Sequence, residues 1–409
     1  MDDRAWLQAM LDFEAALARA VAPSGAADAI AAACVADRFD LEDLGISTAD
    51  YGTPVPGLLK QLRARLPEDA AAHVHRGATS QDVVDSAAML VSKRALGPLL
   101  EDLGGAADGC AVLAERYRHA PMAGRTLLQQ AAPVTFGLRA AGWLSGLDEV
   151  RGALAGVRAG LTVQLGGAVG TLAALGDDGL RAVAEVARAL ELAEPTLPWH
   201  TIRTQPARLA CALGAAAGVM GKIALDIELL AQTEVGEVAE AGAAGRGGSS
   251  TLPHKRNPVG AVAVRACAAR VPGLVATMLA SMAQEHERAA GAWQAESETL
   301  SDLLRLTGSA AATLRELLEG LEVDTERMRA NLDVTGGLLM TEGVVTALTP
   351  SLGRAKAQEL VEHAARKVMD DGVELRDALP ELDDAVLAPE SYLGAASDLI
   401  DRALEAHRS

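Results

Sequence analysis

Apolar side chains recur at helical spacing along most of the chain. Trp6, Leu7, Met10, Leu11, Phe13 and Leu17 place helices in residues 4–35. Asp, Gly and Pro break the pattern across 36–57, and a helix resumes near Leu58–Leu66. Another runs from about Ser80 to Tyr117, and a long apolar one covers 138–161. Glycines at 166, 167 and 170 interrupt the pattern, and a bend is the expected result. Leu209, Leu213, Met220, Ile223, Ile227 and Leu230 then recur from Ala207 to about Val235, a run of about 44 Å at ~1.5 Å per residue. Residues 261–282 are apolar nearly all round, and such a helix must be buried. Further helices cover roughly 298–320 and Leu338–Thr349, and 351–409 reads as short, charged, amphipathic helices.

This pattern predicts an all-α protein. Aromatics are only 2% of 409 residues, which argues against a β-sandwich, whose strands favour aromatic and β-branched side chains. The length allows two or three domains, and the helices are too long and apolar for one small domain to surround, so subunit packing is expected. A net charge of −18 argues against nucleic acid and means that any anion site must gather local cations. Cys34, Cys110, Cys211 and Cys267 are widely spaced among small apolar residues, where buried, reduced thiols are expected. Eight scattered histidines and no paired cysteines imply neither a metal nor a cofactor. No run reaches ~18 apolar residues without polar interruption, and the N-terminus lacks a signal-peptide pattern, so a cytoplasmic protein outside the membrane is expected.

Chemistry concentrates in residues 247–258, Gly-Gly-Ser-Ser-Thr-Leu-Pro-His-Lys-Arg-Asn-Pro. Glycines and prolines make this stretch a loop between two helices. Ser249, with Ser250 beside it, is a candidate for proton exchange, and Lys255 and Asn257 are candidates to hold a carboxylate. A second group lies at His75-Arg76-Gly77-Ala78-Thr79-Ser80, where a helix begins: either a plain N-cap or an anion site built from N–H groups and hydroxyls. Thr126 and Gln129, in Gly124-Arg125-Thr126-Leu127-Leu128-Gln129, are hydrogen-bonding candidates or turn polarity. Arg203 offers a guanidinium fork suited to a carboxylate, or is a surface arginine. Arg288 and Trp293, in Glu285-His286-Glu287-Arg288 through Glu296, either shape a site or pack a helix.

Gly248-Ser249-Ser250-x-Leu252-Pro253-x-Lys255-x-Asn257-Pro258 resembles the signature loop of the fumarase/aspartase superfamily, with Leu252 for the usual Met. His75-x-Gly77-x-Thr79-Ser80 resembles its first shared region, and Gly124-Arg125-Thr126-x-Leu128-Gln129-x-Ala131-x-Pro133 its second. The strings Gly77–Val83 and Glu285–Glu296 are most similar to its carboxymuconate cycloisomerase branch. The resemblance implies an all-α, three-domain fold: an N-terminal domain 1–95, a central long-helix bundle 96–335 and a C-terminal domain 336–409. It implies a homotetramer whose shared active sites draw on three chains and act on a small tricarboxylate without a cofactor. It also implies that Ser249 and Lys255 are catalytic, and that His75, Thr79, Ser80, Thr126, Gln129, Arg203, Ser250, Asn257 and Arg288 contact substrate.

Arg76 and Ser297 depart from the aromatic residues expected at their positions, and the most informative departure is at Leu127. Where amine-eliminating members of the superfamily carry a general-acid histidine, this chain has Leu127. Amines and hydroxide are strong bases and need an acid to leave, whereas a carboxylate, with a pKa of about 4, departs unaided. The departure therefore favours the cycloisomerase over an adenylosuccinate-type lyase releasing fumarate; a non-catalytic helical scaffold is the reading from another class. As a leucine, Leu127 is expected to pack in a core, where its loss would cost ~2–5 kcal/mol.

Overall fold

The computed structural model describes residues 2–241, 247, 248, 251, 252 and 254–409. The helices in chain order are α1 Asp3–Val21, α2 Ser24–Ala33, α3 Leu41–Tyr51, α4 Val55–Arg63, α5 Glu68–Ala71 and α6 Ser80–Arg116. Two strands follow, β1 Pro121–Thr126 and β2 Gln129–Thr135, then α7 Phe136–Ala159, α8 Gly179–Ala189 and α9 Thr204–Leu230. After β3 Val238–Glu240 come α10 Val259–Ala280, α11 Glu296–Glu319, β4 Leu321–Val323 and α12 Thr325–Leu332. The chain ends with α13 Thr341–Leu352, α14 Arg354–Asp371, α15 Leu375–Ala378, α16 Asp384–Leu387 and α17 Ala396–Arg408. The all-α expectation holds. The strands it did not include form two small antiparallel ribbons, β1–β2 and β3–β4.

Local chemistry explains several helix starts. Asp2, Asp40 and Asp324 each accept a backbone N–H from the first turn of the helix they precede, satisfying donors that have no intrahelical partner. Contacts divide the chain into two compact units. Residues 1–102, 150–218 and 266–311 form the first; 103–149, 219–265 and 312–409 form the second. The divisions fall inside the five longest helices, α6, α7, α9, α10 and α11. In the first unit Leu7, Leu11, Phe13, Leu17, Ile30, Leu58 and Met89 are fully buried, and the Trp6 indole donates to Ser301 Oγ at 2.9 Å. In the second, Phe136 sits edge-on between Tyr117 and Trp143 at centroid distances of 5.6 and 5.8 Å. A separate cluster there joins α12, α13 and α14 through Leu332, Val344, Val361 and Ala364.

Two expectations need correction, the burial of α10 and that of the cysteines. Helices α9 and α10 are long and apolar enough to cross a membrane by length and composition, although arginines and prolines kept either from reading as an unbroken apolar run. Only 44% of the most apolar stretch of α9 and 22% of that of α10 is buried within the chain, so α10 is not enclosed by its own subunit. Val262 and Leu279 on α10 are 52% and 45% exposed. Cys34 and Cys110 are buried as expected, but Cys211 on α9 is exposed and Cys267 on α10 half-exposed.

Candidate active site

In the first unit the site residues gather around the N-terminal turn of α6. Gly77 has φ +78° and a Cβ there would meet Leu175 Cδ2 at 2.4 Å, while one on Gly167 would lie 2.9 Å from the Gly77 carbonyl. Both positions need glycine for the 166–167 bend to lie against the turn. Thr79 N–H donates to Asp82 Oδ2 at 2.9 Å, the return half of a capping box. Asp82 is fully buried and also accepts from Gly166 N–H at 3.0 Å and Gly167 N–H at 2.9 Å, with His200 Nε2 hydrogen-bonded at 2.7 Å. Four donors converge on one carboxylate and fix the bend, the helix start and His200 together. The hydroxyls of Thr79 and Ser80 make no hydrogen bond to the chain among the described residues.

His75 has φ +64°, and its Nδ1 lies 2.6 Å from Oε1 of the buried Glu14. The ring is thus fixed by one nitrogen, and Nε2 has no protein partner among the described residues. The structure separates the two arginines that the sequence offered. Arg203 is 3% exposed, with a bidentate contact to Asp85 at 2.8 and 2.9 Å and another to Glu296 at 3.0 and 2.5 Å. Burial alone would lower its pKa, but the two carboxylates outweigh that and hold it above the usual arginine range. A guanidinium shared by two internal carboxylates has no fork left for a substrate, contrary to the expectation that Arg203 offers one. Arg288 instead donates to neutral oxygens only, Gln81 Oε1 at 3.1 Å and the Ala168 carbonyl at 2.8 Å. Its charge meets no carboxylate among the described residues. Trp293 Nε1 donates to Asp85 at 3.0 Å, which ties the 285–296 segment to α6.

In the second unit β1 and β2 form a hairpin whose two-residue turn is Leu127-Leu128, with Thr126 opposite Gln129. The φ values are +50° and +66°, the sign that a type I′ turn requires and that leucine disfavours. Leu127 is 96% exposed and Leu128 74%, so the expectation of a core leucine is wrong. The turn points apolar side chains away from its own unit, which helical spacing does not foresee. Thr126 and Gln129 are exposed beside it. The base is firm: Arg125 makes a bidentate contact to Glu237 at 2.9 and 2.7 Å, and Asn331 donates to the same buried carboxylate at 2.7 Å. A Cβ on Gly124 would fall 2.5 Å from the Ala132 carbonyl, so glycine is required where the strands shift register.

The signature loop is closed at its base. Asn257 N–H and Nδ2 both donate to the Gly247 carbonyl, at 2.9 and 3.1 Å, and Gly248 bridges to Arg256. Asn257 therefore closes the loop, and its amide nitrogen is not free for a carboxylate. Glu240 accepts from Gly260 and Ala261 N–H at 3.0 and 2.9 Å, filling the start of α10 with an anion of the chain itself. Lys255 is exposed. Ser249 and Ser250 lie outside the described residues. Among the described residues no three His, Cys, Asp or Glu side chains cluster as metal ligands would. Asp82, Asp85, Glu237 and Glu14 were not singled out from the sequence. Thr79-x-x-Asp82 carried a readable capping-box signal, but a lone Glu14 amid apolar residues did not.

The family model described as lyase matches residues 3–273. A 3-carboxy-cis,cis-muconate cycloisomerase from Bradyrhizobium diazoefficiens is 45% identical over 99% of this chain and 94% of the relative. A nitrosuccinate lyase from Streptomyces davaonensis is also 45% identical, over 99% of this chain and 91% of the relative. The crystal structure of the 3-carboxy-cis,cis-muconate lactonizing enzyme from Pseudomonas putida superposes with a TM-score of 0.94 at 42% identity, covering 100% of this chain and 95% of the other. With the signature sequence 247–258, the His75–Ser80 turn and the 124–133 hairpin beside these matches, the chain belongs to the lyase family of the fumarase/aspartase superfamily.

Proposed function

We propose that the protein is a cycloisomerase that lactonises 3-carboxy-cis,cis-muconate. A carboxylate of the substrate adds to a conjugated double bond, and a proton is delivered to carbon. The observation that carries this is Leu127 at an exposed hairpin tip, where a general acid stands in amine-expelling members. Read backward, lactonisation expels an internal carboxylate, which needs no acid. The relatives of that name support the substrate.

On this reading Ser249 transfers the proton, and Lys255 stabilises the extra charge that builds on the adjacent substrate carboxylate. Ser250, Thr79, Ser80, His75, Thr126, Gln129 and Arg288 contact substrate. Arg203 and Asn257 act through the residues they hold. Four subunits cover the exposed apolar faces of α9 and α10 and bring together site segments from three chains. Arg265 and Arg270 on α10, paired with Glu228 and Asp302, suit a protein interface better than lipid, and we place the protein in the cytoplasm. We assign the domains as 1–95, 96–335 and 336–409.

A second reading has its own support in the nitrosuccinate lyase relative. Elimination from a nitro-substituted succinate expels nitrite, itself a weak base, so Leu127 suits that reaction equally. Purified protein is given each substrate in turn: loss of diene absorbance from carboxymuconate supports the cycloisomerase. Nitrite release from nitrosuccinate with no change in carboxymuconate replaces it with the second reading. Light scattering that finds an active monomer at micromolar concentration would refute the tetramer.

A further inference from the structure

We propose that a concavity in the first unit, remote from the residues assigned above, binds a small organic dianion, a linear dicarboxylate. It has a volume of about 460 Å³ and lies among α1, the middle of α6, the end of α7 and the residues that follow α8. Thirteen residues of α6 separate Lys93 from Ser80, about 20 Å along the helix.

The charges in it do not cancel. Arg94 is paired with Asp12 at 2.6 Å, and Lys93 with the Glu191 carboxylate at 3.4 Å and with its carbonyl. Arg158 donates only through Nε, to the Lys93 carbonyl at 3.1 Å, and Arg19 makes no hydrogen bond or ion pair among the described residues. Two guanidinium groups thus stand without a carboxylate in one hollow, in a protein of net charge −18. Such a concentration of field attracts a doubly charged anion, and guanidinium forks match carboxylates in pairs. Glu191 adopts φ +54°, an unfavourable backbone for a non-glycine residue, with its carbonyl turned to Lys93. Leu90 and Leu190 form part of the wall, and the hollow is far larger than an inorganic anion. The wall is mostly charged, and the spare volume suits two carboxylates joined by a short carbon skeleton better than a single phosphate.

Isothermal titration calorimetry with succinate tests this on the full chain and on Arg19→Gln, Arg158→Gln and the double variant. Wild type is expected to bind one equivalent per chain more than the double variant, and each single variant to weaken that equivalent about ten-fold or more. Acetate, with one charge, is expected to bind it at least about ten-fold more weakly than succinate. Oligomer size and helical circular dichroism should stay unchanged, and if the double variant misassembles the single variants give the same reading. Equal stoichiometry in wild type and double variant overturns the proposal. So does inorganic phosphate binding at least as tightly as succinate. A lower unfolding temperature in the variants with no lost succinate equivalent also overturns it: Arg19 and Arg158, each in the last turn of its helix, would then only be offsetting helix-end carbonyls.

Discussion

Replacing the hairpin turn Leu127-Leu128 with Asn-Gly should make the protein more stable and less active. Both leucines have positive φ, at a cost of about 1–2 kcal/mol each for an L-residue with a side chain. Asn and Gly accept this conformation, so about 2–4 kcal/mol is released, and glycine's greater freedom in the unfolded chain takes back about 0.5–1 kcal/mol. Little burial is lost, since Leu127 is 96% and Leu128 74% exposed in the subunit. The net gain is roughly 1–3 kcal/mol. With an unfolding entropy of about 2.1 cal/mol/K per residue over 409 residues, this corresponds to a rise in Tm of about 1–3 °C. Calorimetry measures it. Leu127→Ala is the control, because it keeps the left-handed backbone and removes only the side chain. An exposed site predicts a change within about 0.5 kcal/mol, whereas a buried one predicts ~2–5 kcal/mol of destabilisation. On the proposed assembly the apolar tip borders substrate, and a lost apolar contact of this kind costs about 10–200-fold in kcat/KM, so the Asn-Gly variant should lose activity within that range. A Tm that is unchanged or lower refutes the strain, and undiminished turnover removes the tip from the active site.

Ser249→Ala should lower kcat by on the order of 10²–10⁴ with little change in KM, and Ser250→Ala should be milder; the opposite order would move proton transfer to Ser250. Arg203→Ala strands two buried carboxylates and should destabilise the fold by about 3–5 kcal/mol in denaturant unfolding, whereas Arg288→Ala should raise KM with little effect on stability. Burial pushes the Glu296 carboxyl above its ordinary value of 4.5, against the lowering influence of Arg203. A raised carboxyl favours the folded state fully below the unfolded value, and that contribution is lost as pH rises through the folded one. Glu296→Gln keeps the uncharged state at every pH, so its Tm relative to wild type should climb from pH 4.5 toward neutrality; a falling difference would contradict this.

Helical spacing was legible because it reports which face of a helix is apolar, whatever covers that face. It placed α1, α7, α9, α10 and α11 within a few residues. The hairpin was hidden for a physical reason: its turn is Leu-Leu where Asn-Gly would normally announce it, and its glycine, Gly124, serves the register shift rather than the turn. Spacing also says nothing of where a burying surface comes from. The apolar face of α10 demanded cover, yet the subunit leaves most of it exposed, and Cys211 and Cys267 lie on helices that share this exposure.

Candidate site residues were legible as residue types, but not in their commitments. Arg203 and Arg288 looked alike as carboxylate ligands until their partners were visible. One is held by two carboxylates, and the other keeps its charge among neutral oxygens. Asn257 looked like a ligand but closes the loop on Gly247. Free charge, rather than charge, distinguishes a binding arginine from a scaffolding one, and free charge depends on neighbours more than a hundred positions away, as Asp85 is from Arg203. Leu127 is informative in the opposite way. Its side chain can carry no proton, and on the proposed reading this restricts the reaction to leaving groups that depart as stable anions.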